Sequence, residues 1–299
     1  MNTERSYALN RADCVKIPLS PAMTHTYKPA LMSYIDLLGF SELIDHHRTD
    51  PQTVRDTLEL ATGELSELSR RSHTRRLDAT FHVANFSDLI VRCSTPVTGD
   101  PKELVVDELD YLAGAQFALV KKGVLIRGAI CVGDMYVESE SSAEAHHPRF
   151  FFGHALVKSY RLEQDYAIYP RLIIDRDLVQ RGSSGAGIME NDQTVRRGED
   201  GVYCLNYLYA AFMKAHGKSP KSALAILLDH RQAVETLLED RVHKPATPEK
   251  KATERQKQKF MWLGLYHNSV IRQLKAKSYY STNIAKLDQS LISPGLLRF

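Results

Sequence analysis

At 299 residues, with 43% hydrophobic and 25% charged residues, the chain has the composition of a globular protein, with room for one large domain or two small ones. A formal net charge of +3 is too small to argue for nucleic acid. There is no run of about 18 apolar residues and no charged-then-apolar leader, so neither a membrane span nor a signal peptide is expected. The four cysteines, Cys14, Cys93, Cys131 and Cys204, form no CxxC pair, a pattern of reduced thiols in a cytoplasmic protein rather than of a disulfide framework or a zinc knuckle.

Residues 1–28 are polar and, with Pro18, Pro21 and Pro29 punctuating them, read as an extended N-terminal arm. A first strand is expected over 31–37, followed by a turn at Gly39 and a helix beginning in FSELIDHH. PQTVRDTLELATGELSELSRR carries Val54, Leu58, Ala61, Leu65 and Leu68 at helical spacing. DATFHVA and DLIVRCS are rich in β-formers and flank Asn85-Phe86-Ser87, which predicts a hairpin with Asp88 at its lip. KELVVDELDYLAGAQFALVKKG is an amphipathic helix capped at Gly123. VLIRGAICVGDMYV reads as a strand, ESESSAEAHHPR as a loop, GHALVKSYRLEQDYA as a helix and YPRLIIDRDLV as a strand.

Beyond it, GSSGAG and MENDQTVRRGED predict a long flexible loop over 181–200. From 201 the pattern is helical, interrupted by HKPATPEKKATERQKQ. The division is therefore an arm over 1–28, a domain over 29–180, the loop, and a helical extension over 201–299. The order β-α-α-β-β-α-β-α-β points to an α+β class, a ferredoxin-like sheet covered by helices.

Asp36 lies inside the apolar run SYIDLLGF, where a carboxylate is costly unless paired. The topology can bring it to the lip that carries Asp88, and two such carboxylates repel unless a cation lies between them. An all-oxygen site suits Mg²⁺ or Mn²⁺, and a pair of such ions suits phosphate chemistry. Spacing alone leaves open a second reading, in which Asp36 caps the turn that follows.

YIDLLGFSELI, NFSDLIV, LIRGAICVG and FGHALVKSYRLE, in that order, resemble four motifs of the class III nucleotide cyclases. The resemblance implies that Asp36 and Asp88 bind two divalent ions (Mn²⁺ or Mg²⁺), with the backbone carbonyl of Leu37 as a further ligand. By the same resemblance the chain at Gly39 and Phe40 cradles the phosphates, Arg127 grips the triphosphate, and Arg161 stabilises charge on the α-phosphate. It also implies a head-to-tail homodimer, one subunit supplying the aspartates and the other the arginine helix.

The departures from that pattern matter as much. Val157 stands where the family carries an asparagine, and the hairpin has Ser-Asp in place of Gly-Asp. Ala84 and Phe150 occupy the two base-reading positions, where purine cyclases place polar residues. With the helical tail, this resembles the pyrimidine cyclases of bacterial Pycsar anti-phage defence. Those enzymes make cyclic UMP or cyclic CMP for a separate effector. The expectation is thus a class III fold with a C-terminal helical extension that converts UTP to cyclic UMP. The alternatives are a cytidylate cyclase, a divergent purine cyclase, and a catalytically silent nucleotide-binding module that regulates a partner.

Other features read as structural. DHHRTD is a solvated helix end, and His146 and His147 are loop surface. GSSGAG lacks the Lys-Ser/Thr of a P-loop, and KKATERQKQK is a solvated helix start without interleaved aromatics. Cys131 is a small core residue, and Trp262, Leu263, Tyr266 and Val270 pack the last helix. Phe150–Phe152 fit a buried strand as well as a base reader, and Arg161 has a second reading as a surface partner of Glu163 or Asp165.

Overall fold

In the computed structural model, which describes residues 26–48, 50–66, 79–139, 148–180, 187–189, 193–243 and 253–276, strand β1 (Lys28–Leu37) is the axis of the molecule. Its side chains alternate between two sheet faces. Leu31, Ile35 and Leu37 enter the main core, whereas Ala30, Met32 and Tyr34 enter a second, smaller cluster on the opposite face. The expected loop residues His146 and His147, the arm over 1–25, Cys14 and most of GSSGAG lie outside the described residues.

After β1 come α1 (Phe40–His46), α2 (Pro51–Ser66), β2 (Ala79–Phe86), β3 (Leu89–Pro96), α3 (Val105–Lys121), β4 (Ile126–Ser139), β5 (Pro148–Gly153), α4 (His154–Tyr166) and β6 (Leu172–Ile174). Short strands β7 (Val179–Gln180), β8 (Ile188–Met189), β9 (Val195–Arg197) and β10 (Tyr203–Leu205) follow. The chain then forms α5 (Tyr207–His216), α6 (Pro220–Leu238) and α7 (Glu254–Ala276). The main sheet has eight strands in the order β2-β3-β1-β4-β6-β10-β9, with β5 on β4. All of its pairs are antiparallel except β4 with β6. The expected α+β class, a sheet covered by helices, is the observed one.

Three details differ from expectation. The Phe-rich segment forms β5, but Phe150 and Phe152 are exposed and only Phe151 joins the smaller cluster, because strand alternation sends the first and third rings outward. The 181–200 segment is not wholly loop, since β9 extends the sheet through β10. Residues after 201 begin with that strand rather than a helix, so the sheet runs past the boundary drawn at 180.

The main core holds a charge pair that the sequence did not advertise. Arg92 of β3 is fully buried and forms a bidentate pair with Glu108 of α3, Nε to Oε1 and Nη2 to Oε2, both at 2.8 Å. Ser33 donates to the same Oε1 at 2.8 Å, Arg92 Nη1 donates to the Leu65 carbonyl, and the guanidinium lies over the Tyr111 and Phe81 rings. Five segments, β1, α2, β2, β3 and α3, thereby meet at one point. In the helical extension, Tyr207 Oη lies 2.7 Å from His230 Nε2, and His230 Nδ1 lies 3.0 Å from His267 Nδ1, all buried. Burial holds both imidazoles below the usual histidine range, His267 at about 4, so the pair is neutral and joins α5, α6 and α7 by hydrogen bonds. Among the described residues no helix is long and apolar enough to cross a membrane.

Glu108→Ala leaves the Arg92 guanidinium buried without its carboxylate, and a loss of about 3–5 kcal/mol is expected. Urea denaturation followed by circular dichroism measures it; a loss below about 1 kcal/mol would mean that water reaches the cation.

Candidate active site

The C-terminal end of β1 meets the lip of the β2–β3 hairpin through one hydrogen bond, from the Leu37 amide to the Asp88 carbonyl oxygen at 3.1 Å. That bond makes neighbours of Asp36 and Asp88, which the sequence separates by two helices and a strand. The hairpin turn places Ser87 at φ 59, a left-handed conformation that costs a non-glycine residue on the order of 1 kcal/mol. On the other side of β1, Asp36 is in register with Arg127 of β4. The strands approach closely there, because a Cβ on Gly128 would fall 2.1 Å from the Tyr34 carbonyl oxygen.

Arg127 lies between two carboxylates. Its Nε donates to Asp36 Oδ2 at 2.7 Å and lies 2.9 Å from Glu163 Oε1 on α4. One N–H cannot point at both acceptors, so Glu163 Oε1 has the charge contact without a hydrogen bond. Nη1 reaches the Ala167 carbonyl only at 3.5 Å. Glu163 itself is 1% exposed. A second reading from sequence made Glu163 or Asp165 a surface partner of Arg161, yet Ala155, Ser159 and Glu163 recur every fourth residue along the buried stripe of α4, a signal that was available.

Burial raises the Asp36 pKa above the usual carboxylate range, a rise opposed by the hydrogen bond and charge of Arg127 and reinforced by Asp88. Burial likewise raises Glu163, against the Arg127 charge. Tyr34, two residues before Asp36 on the same face, is pushed up to about 12 by burial and then by Glu163 and Asp36. Two carboxylates thus share one arginine with Asp88 close to Asp36, and the excess negative charge fits a divalent cation. The oxygen donors of Asp36 and Asp88 are of the type that Mg²⁺ and Mn²⁺ take. No cluster of three or more metal-ligating side chains occurs among the described residues, so such an ion would complete its coordination with backbone, water or substrate oxygens.

The other anticipated residues fall as follows. Gly39 takes φ 83 and precedes α1, whereas Phe40 is buried in the main core and offers its backbone, not its ring. Leu37 is likewise buried. Ala84 is buried on β2 opposite Val91, and Phe150 is exposed on β5 opposite Glu138. Arg161 is on the exposed side of α4 with Val157 and Tyr160, and among the described residues it pairs with neither Glu163 nor Asp165. Arg161 is therefore not part of the Asp36 cluster of the same chain.

No protein-family model and no curated protein matches the chain. Among solved structures, the guanylyl cyclase Cya2 is similar over 61% of this chain and 93% of its own, at 15% identity and a TM-score of 0.39. A class III adenylyl cyclase-like ATP-binding protein from Pseudomonas aeruginosa is similar over 50% of this chain, at 15% identity and a TM-score of 0.34. The chain spans 34% of the length of that second protein. At these values the likeness assigns no role to any residue.

Arg127→Gln removes the cation that the buried carboxylates share, and a loss of about 2 kcal/mol at pH 7 is expected. Both carboxyl pKa values are already raised, so in the variant the folded state binds protons that the unfolded state does not, and stability falls as pH rises through that window. The deficit against wild type should shrink between pH 7 and pH 5 in thermal melts; a constant deficit would show that the carboxylates are screened by water.

Proposed function

We propose that the chain is a class III nucleotide cyclase that converts UTP to 3′,5′-cyclic UMP and pyrophosphate. In this reading cyclic UMP is a second messenger to a separate effector in anti-phage defence. The observation that carries the catalytic reading is the meeting of Asp36 and Asp88, both acidic, at the joined ends of β1 and the β2–β3 hairpin, with Arg127 alongside.

In this reading Asp36 and Asp88, with the Leu37 carbonyl, hold two divalent ions. Bound there, Mg²⁺ or Mn²⁺ lowers the pKa of the ribose 3′-hydroxyl and offsets the charge on departing pyrophosphate. Arg127 directs Nε to Asp36, and Nη2, with no hydrogen bond among the described residues, is left for the triphosphate. Arg161 serves the neighbouring subunit, giving its fork of donors to the α-phosphate as charge builds there. Its exposure on α4, among the exposed apolar side chains Val157 and Tyr160, supports a second copy of the chain against that face. Ala84 and Phe150 carry no polar atoms to read a purine edge, which favours a pyrimidine; cyclic CMP from CTP is the nearest variant.

A second reading has its own observation. Arg127 is engaged by Asp36 and Glu163, and Val157 offers no hydrogen bond, an arrangement that also suits a silent nucleotide-binding module.

Incubation with Mn²⁺ and each of ATP, GTP, CTP and UTP, with products identified by mass spectrometry, separates the two. Cyclic UMP that disappears in Asp36→Ala and falls by about 10²–10³ in kcat for Arg161→Ala is expected. No cyclic product from any nucleotide would leave the silent module. Mixing the Asp36→Ala and Arg161→Ala proteins should recover activity through heterodimers, and no recovery despite proven subunit exchange would rule out a shared site.

A further inference from the structure

The basic run that opens α7 is not uniformly solvated. Lys257 is partly buried and pairs with Glu254 on its own helix. Lys259 differs. Its side chain is half-buried, and among the described residues it makes no ion pair or hydrogen bond.

The charges that reach Lys259 come from four elements: Arg255 one turn earlier on α7, Arg127 on β4, Glu42 on α1 and Asp36 on β1. Asp36 is stabilised as a carboxylate by Lys259 in return. The start of α7 therefore lies within electrostatic reach of the end of the sheet where β1 turns through Gly39 into α1. Packing fixes it there. Trp262 stacks on Tyr169 at 5.5 Å and 5°, and on Tyr266 at 5.4 Å and 1°. Tyr169 belongs to the segment after α4 whose Ala167 carbonyl lies against Arg127. Phe260, adjacent to Lys259, and Trp262 both pack on the main core.

Three cations, Arg127, Arg255 and Lys259, thus act at the rim of the Asp36 cluster, and two of them come from a helix beyond the sheet. Burial and the two arginines lower the Lys259 pKa, so the ammonium is held among like charges. Glu42 and Asp36 oppose that effect from beyond ion-pair distance. A chain of adjacent phosphates matches such an array, since each phosphate brings negative charge and several acceptor oxygens to donors spaced along one rim.

We propose that Lys259, with Arg255 beside it, binds the β- and γ-phosphates of the nucleoside triphosphate, so that the C-terminal helical segment completes the phosphate site of its own subunit. The assignment rests on the cyclase reading for its substrate, and it gives α7 a part in substrate binding that the catalytic strands do not supply.

The test uses the full chain with Mg²⁺ and two probes, inorganic tripolyphosphate and UTP. By titration calorimetry, Lys259→Gln should bind tripolyphosphate about 10- to 100-fold more weakly than wild type, the loss of one charge-assisted contact. Lys259→Arg should retain most of the affinity, and Lys257→Gln should match wild type. In wild-type protein, which avoids any folding defect of a variant, tripolyphosphate should protect Lys259 but not Lys257 from acetylation read by mass spectrometry.

Equal affinity in wild type and Lys259→Gln, no protection of Lys259, or no tripolyphosphate binding by wild type would overturn the proposal. Its fate is separable from that of the cyclase reading. Lys259-dependent tripolyphosphate binding without cyclic product from any nucleotide would keep the phosphate site and remove the activity. Cyclic UMP formation with an unchanged KM in Lys259→Gln would do the reverse.

Discussion

Arg127 lies where β1, β4 and α4 come together, and the charge it carries is what allows Asp36 and Glu163 to be buried beside each other. Without a cation two carboxylates in that space would repel and one would take up a proton. The arrangement also binds the small face of the sheet to its single covering helix, because Glu163 is the last buried side chain of α4. A structural ion pair and a proposed substrate arginine are thus the same residue. This sets a specific demand on the proposed reaction: the guanidinium must hold Asp36 through Nε while Nη2 serves phosphate.

The two faces of the sheet are unequal, and the inequality bears on how a site could be assembled. One face is covered by α2 and α3 and by the helices after β10, a continuous core pinned by the Arg92–Glu108 pair. The other carries α4 over a small cluster, leaving Phe86, Val157 and Tyr160 exposed. Exposed aromatic and aliphatic side chains gathered around one helix are the kind of surface that a second copy can cover. Arg161 lies within this surface rather than at the Asp36 cluster of its own chain, which is why the proposed chemistry needs two subunits.

The helical extension is joined to the sheet by more than apolar contact. Asn206 at the β10–α5 junction accepts from Tyr266 of α7 at 3.0 Å and donates to Gln273 at 3.1 Å, while the neutral His230–His267 pair links α6 to α7. Each of these groups is satisfied inside the protein, so the angle at which α7 leaves the bundle is fixed by directional bonds. Its start is then carried to the end of β1. In the proposed phosphate site, a helix that reads from sequence as an appendage becomes one wall.

Local pattern was enough to specify much of this. Alternation in SYIDLLGF and the two hairpin segments, amphipathic spacing in the α3 region, Gly123 past its end and the packing stripe through Trp262, Leu263, Tyr266 and Val270 all appear as anticipated, because each depends on neighbours within a few residues. The proximity of Asp36 to Asp88 was also legible, since a hairpin beside a central strand leaves few other places for its lip. What local pattern could not fix was the partner of each charge. Glu163 turned inward to Arg127, Arg92 found Glu108 beneath the sheet, and Lys259 arrived from the far end of the chain. Whether a charged side chain is solvated or buried against another depends on which elements pack over it, and only the folded chain brings those elements together.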